Sequence, residues 1–215
     1  MPVDRAALAR LYAGEQGRAW DRVESERPST YWEENVIGGR RLARRTILHW
    51  LEPLTRQTIL DAGCGTGGLA AHLAGLGATV VGIDLLPRFR SAPRVKGLRF
   101  AVADVREPAA RVGAFTTAIL QEVLEDYPPE ERVDLVRALA QWGARRLILV
   151  TRVQSTWGDW ADRLSAKGGR PPVDTVTLFR GIHLETPYFL TRRETVKRRN
   201  HAAEVSEFTL SHDGA

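Results

Sequence analysis

The residues best suited to chemistry lie in a glycine-rich loop between two β-like runs, TILDAGCGTGGLAAHLAGLGATVVGIDLL at 58–86. The first run ends at Asp61, the second ends at Asp84, and the loop between them has glycines at alternate positions, Gly63, Gly65 and Gly67. Glycines there let the backbone turn tightly and approach a nucleotide-like ligand without a collision at Cβ. An acid at the end of the second strand can accept hydrogen bonds from a ribose diol. The segment therefore predicts a site for an adenosine-containing cofactor.

The same glycines also fit the dinucleotide pattern G-x-G-x-x-G through Gly63, Gly65 and Gly68, so a nicotinamide cofactor, NAD(P), and an oxidoreductase are an alternative. Asp61 argues against that alternative. A carboxylate before the first glycine would repel a pyrophosphate, whereas it would attract a cationic ammonium group. We therefore favour a cofactor that carries a positive charge.

Two further segments follow β-like runs and are expected at the same edge of a sheet. Asp104 and Val105 come after the third run, where the carboxylate can accept from an adenine amino group and the Val105 amide can address a ring nitrogen. The fourth run leads into QEVLED at 121–126, which begins with Gln121. Ligands of such folds bind outside the carboxyl ends of the strands, so these residues are candidate cofactor contacts.

The elements that must position these residues alternate between β-like and helical runs from Thr58 onward. The β-like runs lie at 58–60, 79–83, 98–102, 115–120 and 146–151. Helical patterns fit between them, notably Gly68 to Gly75 and Pro129 to Trp142. This alternation predicts an α/β fold with a doubly wound, mostly parallel, Rossmann-like sheet covered by helices on both faces.

The N-terminal part of the chain has a different pattern. Residues 1–54 have apolar residues at helical spacing, and we expect an N-terminal helical lid there, followed by the cofactor-binding domain at 55–215. Aromatic residues of the lid, Trp20, Tyr31 and Trp32, are expected to cover the cofactor.

The C-terminal part loses the regular alternation after Thr151. A strand is expected at 175–179 and a final strand at 204–210, where polar and apolar residues alternate. A helix is expected to start at Thr191, whose hydroxyl lies three residues before Glu194 in a capping-box arrangement.

The central segment resembles the class I S-adenosylmethionine-dependent methyltransferases. DAGCGTG matches their glycine motif, GID their ribose acid, VADV their adenine contact, and EVLED looks like the family's EVLEH. The resemblance implies that S-adenosylmethionine is the cofactor, with its methionine moiety over the three loop glycines and its ammonium near Asp61. It also implies contacts from the following strands: Asp84 and Leu85 with the ribose, Asp104 and Val105 with the adenine, and Gln121 near the methionine portion.

Departures from the family pattern concern both the chemistry and the sheet. Asp126 stands where many relatives have histidine, so a base at that position is not carried over, and a cofactor-binding subunit without turnover is an alternative. The family's Pro-Gly-Gly turn before the fifth strand is replaced by WGARR. One of the family's seven strands is expected to be missing or to come from 175–179.

Composition excludes several other classes. Of the 215 residues, 43% are hydrophobic and 27% are charged, as in ordinary globular proteins. No window has the roughly 18 uninterrupted apolar residues of a membrane span, and the N-terminus lacks a signal-peptide core, so we expect a cytoplasmic protein. Cys64 is the only cysteine, which excludes an internal disulfide, and no Cys/His/Asp spacing predicts a metal site.

Charge leaves two classes of acceptor to compare. The net charge is +5, and basic residues cluster near the C-terminus at Arg192, Arg193, Lys197, Arg198 and Arg199. Such a cluster either forms a solvated helix face or neutralises nucleic-acid phosphates. No NPPY or DPPY motif of base-methylating enzymes follows the fourth run, since DYPP at 126–129 has the wrong order. A small-molecule acceptor is therefore favoured over nucleic acid.

An N-terminal resemblance suggests which small molecule is methylated. GRAWDRV and then GGRRLARRTILHWLEPLT are similar to the magnesium protoporphyrin IX O-methyltransferases, over about residues 17–90. This implies a carboxylate of a flat tetrapyrrole, which is already nucleophilic and needs no base. The expected partners of such an acceptor are Arg40, Arg41 or Arg180 for the remaining carboxylate, and Trp157 with Trp160 for the ring.

The alternative acceptor is a phenolic or quinone-like hydroxyl, which must lose a proton. His183 is then the candidate catalytic residue, because a histidine with an ordinary pKa exchanges a proton near neutrality.

Overall fold

The computed structural model describes residues 39–107, 115–153, 173–198 and 201–211. The helices are α1 (Gly39–Leu51), α2 (Gly68–Gly75), α3 (Pro129–Gln141) and α4 (Thr175–Glu185). The strands are β1 (Thr58–Ala62), β2 (Thr79–Asp84), β3 (Leu98–Val102), β4 (Thr117–Gln121), β5 (Arg146–Arg152), β6 (Tyr188–Arg198) and β7 (His201–Leu210). Short 3-10 turns lie at Leu54–Arg56, Arg88–Ser91 and Leu124–Asp126.

All seven strands form one sheet in the order β3-β2-β1-β4-β5-β7-β6. Strands β1 to β5 pair in parallel, and β7 runs antiparallel to both β5 and β6. The other six strands consequently end at one edge, called the carboxyl edge below. The expected doubly wound, mostly parallel α/β sheet is confirmed. Its strand order reverses between β1 and β4, which is where ligands of such sheets bind.

The sheet is covered on both faces, which explains the continuous apolar runs of its central strands. Successive residues of a strand point to opposite faces, so Ile59 and Leu60 belong to two different cores. Ile59 packs with α1 and α2, where Ile47 is fully buried. Leu60 packs with α3 and α4, where Leu139 is fully buried. This double cover holds the strand ends, and the loops that follow them, in fixed positions.

Two expectations for the C-terminal part are wrong. Residues 175–179, expected as a strand, begin α4, because the Asp174 carboxylate caps the helix by accepting from the amides of Val176 and Thr177 at 3.1 and 3.2 Å. The helix expected from Thr191 is part of β6, which pairs with β7 along its length. The sheet therefore contains all seven strands, and its sixth strand lies farther along the chain than expected.

The boundary expected at residue 54 does not coincide with a break in packing. α1 belongs to the packed body, since Ala43, Ile47 and Leu51 are fully buried. Residues 1–38, which hold most of the expected lid, lie outside the described residues. Within the part of the chain that the structure describes, no helix is long and apolar enough to span a membrane.

Candidate active site

A cavity of about 70 Å³ opens at the carboxyl edge, beside the ends of β1 to β4. Four of the residues expected from the sequence line it: Gly63, Asp84, Leu85 and Val105. Glu122 and Asp126 of the expected segment QEVLED also line it, whereas sequence reasoning assigned no role here to Arg88 and Tyr127.

The glycine loop is shaped largely by its own neighbours. Gly63 has φ +76° and Gly67 has φ +82°, a region that L side chains enter only with strain. A Cβ at Gly63 would lie 2.5 Å from a methyl of Val123, and one at Gly67 would lie 2.5 Å from the ring of Phe100. Glycine is required at these two positions because protein side chains already occupy the space, in addition to any approach by a ligand.

Asp84 connects the glycine loop to β2. Its Oδ2 accepts from the amide of Gly65 at 2.8 Å, and its Oδ1 accepts from the amide of Leu86 at 2.9 Å. A carboxylate can accept about four hydrogen bonds, so ribose hydroxyls can share it with these amides. The side chain that is expected to contact the cofactor therefore also fixes the loop beneath it.

Asp104 occupies a different position from the one expected. Its side chain is only 1% exposed and is not part of the cavity lining. The Arg106 guanidinium donates from Nε to Oδ1 at 3.1 Å and from Nη2 to Oδ2 at 2.9 Å. Val105 does line the cavity, and its carbonyl accepts from the Trp142 indole at 2.8 Å. The structure thus brings Val105 to the pocket and places Asp104 in an ion pair behind it.

Asp61 and Gln121 end neighbouring strands, β1 and β4, at the same edge. Asp61 is 2% exposed. Gln121 Oε1 accepts from Arg44 Nε at 3.4 Å, and Arg44 is buried on α1. Arg44 was not singled out among the arginines of RRLARR, because only the packing of α1 on the sheet distinguishes it from its neighbours.

The charges of the pocket fit S-adenosylmethionine better than a dinucleotide. Three carboxylates line it, Asp84, Glu122 and Asp126, against one guanidinium, that of Arg88. A sulfonium and an ammonium are attracted by this surplus of negative charge, whereas a pyrophosphate is repelled. Glu122 also has φ +53°, a strained value for a non-glycine residue and one that is common at functional sites.

Two protonated side chains at the site are held neutral. Burial, and then the charge of Asp104, raise the pKa of the Tyr127 hydroxyl well above its ordinary value. Burial, followed by the nearby carboxylates of Asp61 and Asp84, raises the pKa of the Cys64 thiol in the same direction. Neither group ionises near neutral pH, so Tyr127 is no base and Cys64 no nucleophile.

His183 is not brought to the pocket. It is exposed in the last turn of α4, next to Glu185, which pairs with Arg137 of α3 at 3.0 Å. β6 starts just beyond, at Tyr188, whose hydroxyl donates to the carbonyl of Ala144 before β5 begins. This is the amino edge of the sheet, opposite the cavity. His183 therefore lies about the length of a strand away from the cavity, and the structure does not bring the expected catalytic residue to this site.

The other residues expected around the acceptor are of two kinds. The aromatic residues Trp20, Tyr31, Trp32, Trp157 and Trp160 lie outside the described residues. Arg40 and Arg41 lie in the first turn of α1, and their side chains are also outside the described part. Arg180 is exposed on α4.

Among the described residues, no group of three or more His, Cys, Asp or Glu side chains could hold a metal ion.

Comparison with known proteins agrees with this geometry. The chain matches a family described as "Methyltransferase domain" over residues 59–144. A magnesium-protoporphyrin O-methyltransferase of Rhodobacter capsulatus is 31% identical over 173 residues, which cover 73% of this chain and 74% of that protein. This chain belongs to the class I S-adenosylmethionine-dependent methyltransferases. The methyltransferase uses S-adenosylmethionine as its cofactor, and the expectation from the glycine motif is confirmed.

Solved structures show the same fold around this methyltransferase's sheet. The crystal structure of magnesium protoporphyrin IX methyltransferase from Synechocystis PCC 6803 with bound SAH has a TM-score of 0.73 at 21% identity, covering 96% of this chain and 100% of that one. A 23S rRNA uracil-C5 methyltransferase of Dechloromonas aromatica is 31% identical over 137 residues, but these cover only 30% of that protein.

Proposed function

We propose that this methyltransferase esterifies a carboxylate of a flat tetrapyrrole of the magnesium-protoporphyrin type. The extent of similarity carries the proposal. The magnesium-protoporphyrin O-methyltransferases of Rhodobacter capsulatus and of Synechocystis match over 74% and 68% of their own lengths. The match covers 39% of a ubiquinone biosynthesis O-methyltransferase from Thiobacillus denitrificans and 30% of the ribosomal RNA enzyme.

The chemistry of the described pocket supports a carboxylate acceptor. Bound S-adenosylmethionine supplies a methyl group made electrophilic by the sulfonium, so the protein's main task is to align the acceptor oxygen. A carboxylate is ionised at neutral pH and needs no proton acceptor. Among the described lining residues there is no histidine, and Tyr127 stays protonated. The absence of an imidazole from this lining suits an acceptor that is already ionised, and Arg88 is the lining guanidinium that can offset the repulsion between that acceptor and the lining carboxylates.

We further propose the cofactor contacts that the sequence indicates. Asp84 and Leu85 hold the ribose, and the turn at Asp104 and Val105 reads the adenine. Around the methionine portion lie Asp61, the loop glycines Gly63, Gly65 and Gly67, and Gln121. The lining of the cavity by Gly63, Asp84, Leu85 and Val105 supports this assignment.

A phenolic or quinone-like hydroxyl is the second candidate acceptor. The ubiquinone biosynthesis O-methyltransferase, 35% identical over 91 residues, favours it. A hydroxyl must be deprotonated, and Asp126, which lines the cavity where the family's histidine is expected, is then the base rather than His183.

The discriminating experiment follows labelled methyl groups from S-adenosylmethionine into three acceptors: magnesium protoporphyrin, a panel of phenols and a ribosomal RNA fragment. We expect an alkali-labile ester on the porphyrin alone, at a rate that Asp126→Asn reduces little. Product from phenols alone, lost in Asp126→Asn, overturns the carboxylate proposal. Product from RNA alone overturns the small-molecule class.

A further inference from the structure

The adenine end of the pocket is bounded by the turn that follows β3. Ala103 and Val105 line the cavity there. Two carbonyls of the turn are hydrogen-bonded: the Asp104 carbonyl accepts from Glu107 N at 3.0 Å, and the Val105 carbonyl accepts from the Trp142 indole at 2.8 Å. The direction of the Val105 N–H, which shares a peptide with the Asp104 carbonyl, is fixed as a result.

Arg106 holds the carboxylate of the same turn. Its backbone amide donates to Asp104 Oδ1 at 2.9 Å, and its guanidinium binds both carboxylate oxygens in a fork. A third guanidinium nitrogen, Nη1, donates to Glu131 of α3 at 2.9 Å. The guanidinium carbon lies 5.5 Å from the ring centre of Tyr127, which lines the cavity. A bidentate ion pair of this kind fixes orientation as well as distance.

Both supports of the turn lead to α3. Glu131 lies in the first turn of that helix, and Trp142 is the residue that caps its carboxyl end, 5% exposed. Neither residue lines the cavity. Helix α3 thus connects to the turn at two points about one helix length apart, through a guanidinium at one end and an indole at the other.

On the basis of the adenine contact proposed above, we propose that Arg106 and Trp142 are positioning residues that give this methyltransferase its selectivity for adenine. Adenine presents a ring-nitrogen acceptor, which the Val105 N–H can meet at the cavity, whereas the Asp104 carboxylate stays behind the turn in its ion pair with Arg106. Hypoxanthine has a ring N–H at the same position, and this donor opposes the Val105 N–H. A turn that is held rigidly rejects hypoxanthine because buried polar groups are left unpaired, whereas a loosened turn can adjust to it.

The test measures binding, so it does not depend on the acceptor. The full chain and its variants are titrated calorimetrically with S-adenosylhomocysteine and with S-inosylhomocysteine, which carries hypoxanthine in place of adenine. Trp142→Phe removes the indole donor and keeps an aromatic ring, and Arg106→Ala removes the fork. Each is expected to weaken S-adenosylhomocysteine binding about five- to tenfold and S-inosylhomocysteine binding at most about twofold. Arg137→Ala, an exposed arginine of the same helix, is the matched control and should change neither.

The ratio of the two affinities separates positioning from general support. If Trp142→Phe and Arg106→Ala weaken the binding of both ligands equally, the proposal is overturned, because that result shows only that the fold was damaged. An unchanged affinity for both ligands overturns it as well. If Arg106→Ala does not fold, Arg106→Lys is tested instead, because it keeps the charge but cannot form the fork. The affinity for S-adenosylhomocysteine relative to that for S-inosylhomocysteine is expected to fall in this variant as well.

Discussion

Asp84 has a structural role at this site besides the binding role proposed for it. Because its two oxygens accept from the amides of Gly65 and Leu86, the carboxylate holds the loop that is proposed to face the cofactor. A substitution there is expected to remove a ligand contact and to loosen the loop at the same time. The two effects have the same sign, so affinity is expected to fall more than one lost hydrogen bond would suggest.

We predict that Asp84→Ala weakens S-adenosylmethionine binding by about 1.5 to 3 kcal/mol, the scale of a charged acceptor that loses its hydrogen bonds. Calorimetric titration measures the change, and circular dichroism checks that the variant is folded. Unchanged affinity in a folded variant contradicts the ribose contact.

A second residue-scale prediction concerns Gly82, which lies under the ring of Phe100. A Cβ at Gly82 would lie 2.6 Å from that ring, which is stacked on Phe89 at 4.9 Å and cannot retreat freely. Gly82→Ala should therefore reduce the free energy of unfolding by about 1 to 3 kcal/mol. Urea denaturation measures this loss.

The control for Gly82 is Gly68→Ala, at the start of α2, where no atom lies within 4 Å of the added Cβ. It should leave stability unchanged or slightly raised. In a Phe100→Ala background, Gly82→Ala should reduce the free energy of unfolding by a smaller amount. An equal reduction with and without the Phe100 ring would show that the ring is not the cause.

At the scale of elements, the sequence predicts correctly where a local pattern and burial agree. The five runs from 58 to 151 became β1 to β5, because strands covered on both faces have continuous apolar segments. Residues 175–179 are β-branched and apolar, so they resemble a strand. They fold as helix because Asp174 caps them and because Leu178 and Ile182 pack into the core at helical spacing.

The helix prediction for the segment after Thr191 is wrong for the opposite reason. Its Thr and Glu are spaced as in a capping box, but neighbouring arginines alternate between the two faces of β6. Arg192 lies over Trp50 and near Glu207, whereas Arg193 lies over Phe179 and pairs with Glu204. Cross-strand partners from β7 decide the outcome, and they cannot be read from local spacing.

The cap of α4 gives a pH-dependent prediction. Hydrogen bonds from Thr177 lower the pKa of the Asp174 carboxyl below its ordinary value. A carboxyl whose folded pKa is depressed stabilises the fold above its unfolded pKa, and this contribution is lost as the pH falls through the folded pKa. Asp174→Ala should therefore lower the urea midpoint at neutral pH, and the difference from the unaltered protein should narrow as the pH falls below the ordinary aspartate pKa of about 3.9.

Asp174→Asn is the matched control, because it keeps an oxygen that accepts from the helix amides but does not titrate. At neutral pH, Asp174→Asn is expected to lose less stability than Asp174→Ala. The stability of Asp174→Asn should also lack the pH dependence that is assigned to the cap. A difference between the unaltered protein and Asp174→Ala that stays constant with pH would contradict the assignment.

At the scale of the whole molecule, the site is assembled from distant segments, and this limits what sequence can predict. Residues local to the strand ends were found, as Gly63, Asp84 and Val105 show. The partners that support them were not. Arg44 is 77 residues from Gln121, and Trp142 is 37 residues from Val105. Only the packing of α1 and α3 on the sheet brings these pairs together, and no motif spacing records it.

The net charge of +5 gives a prediction about nucleic acid, because Arg192 and Arg193 already have carboxylate partners in the fold. We expect weak, sequence-independent RNA binding that falls steeply between about 50 and about 200 mM salt, since only diffuse phosphate contacts contribute. Fluorescence anisotropy with a labelled single-stranded RNA measures it. Arg192→Gln with Arg193→Gln should weaken binding no more than Arg45→Gln with Arg90→Gln, two exposed arginines elsewhere. Binding that survives the higher salt and is lost only in the β6 variant would instead make this strand an RNA-binding surface, and would favour an RNA acceptor over a small molecule.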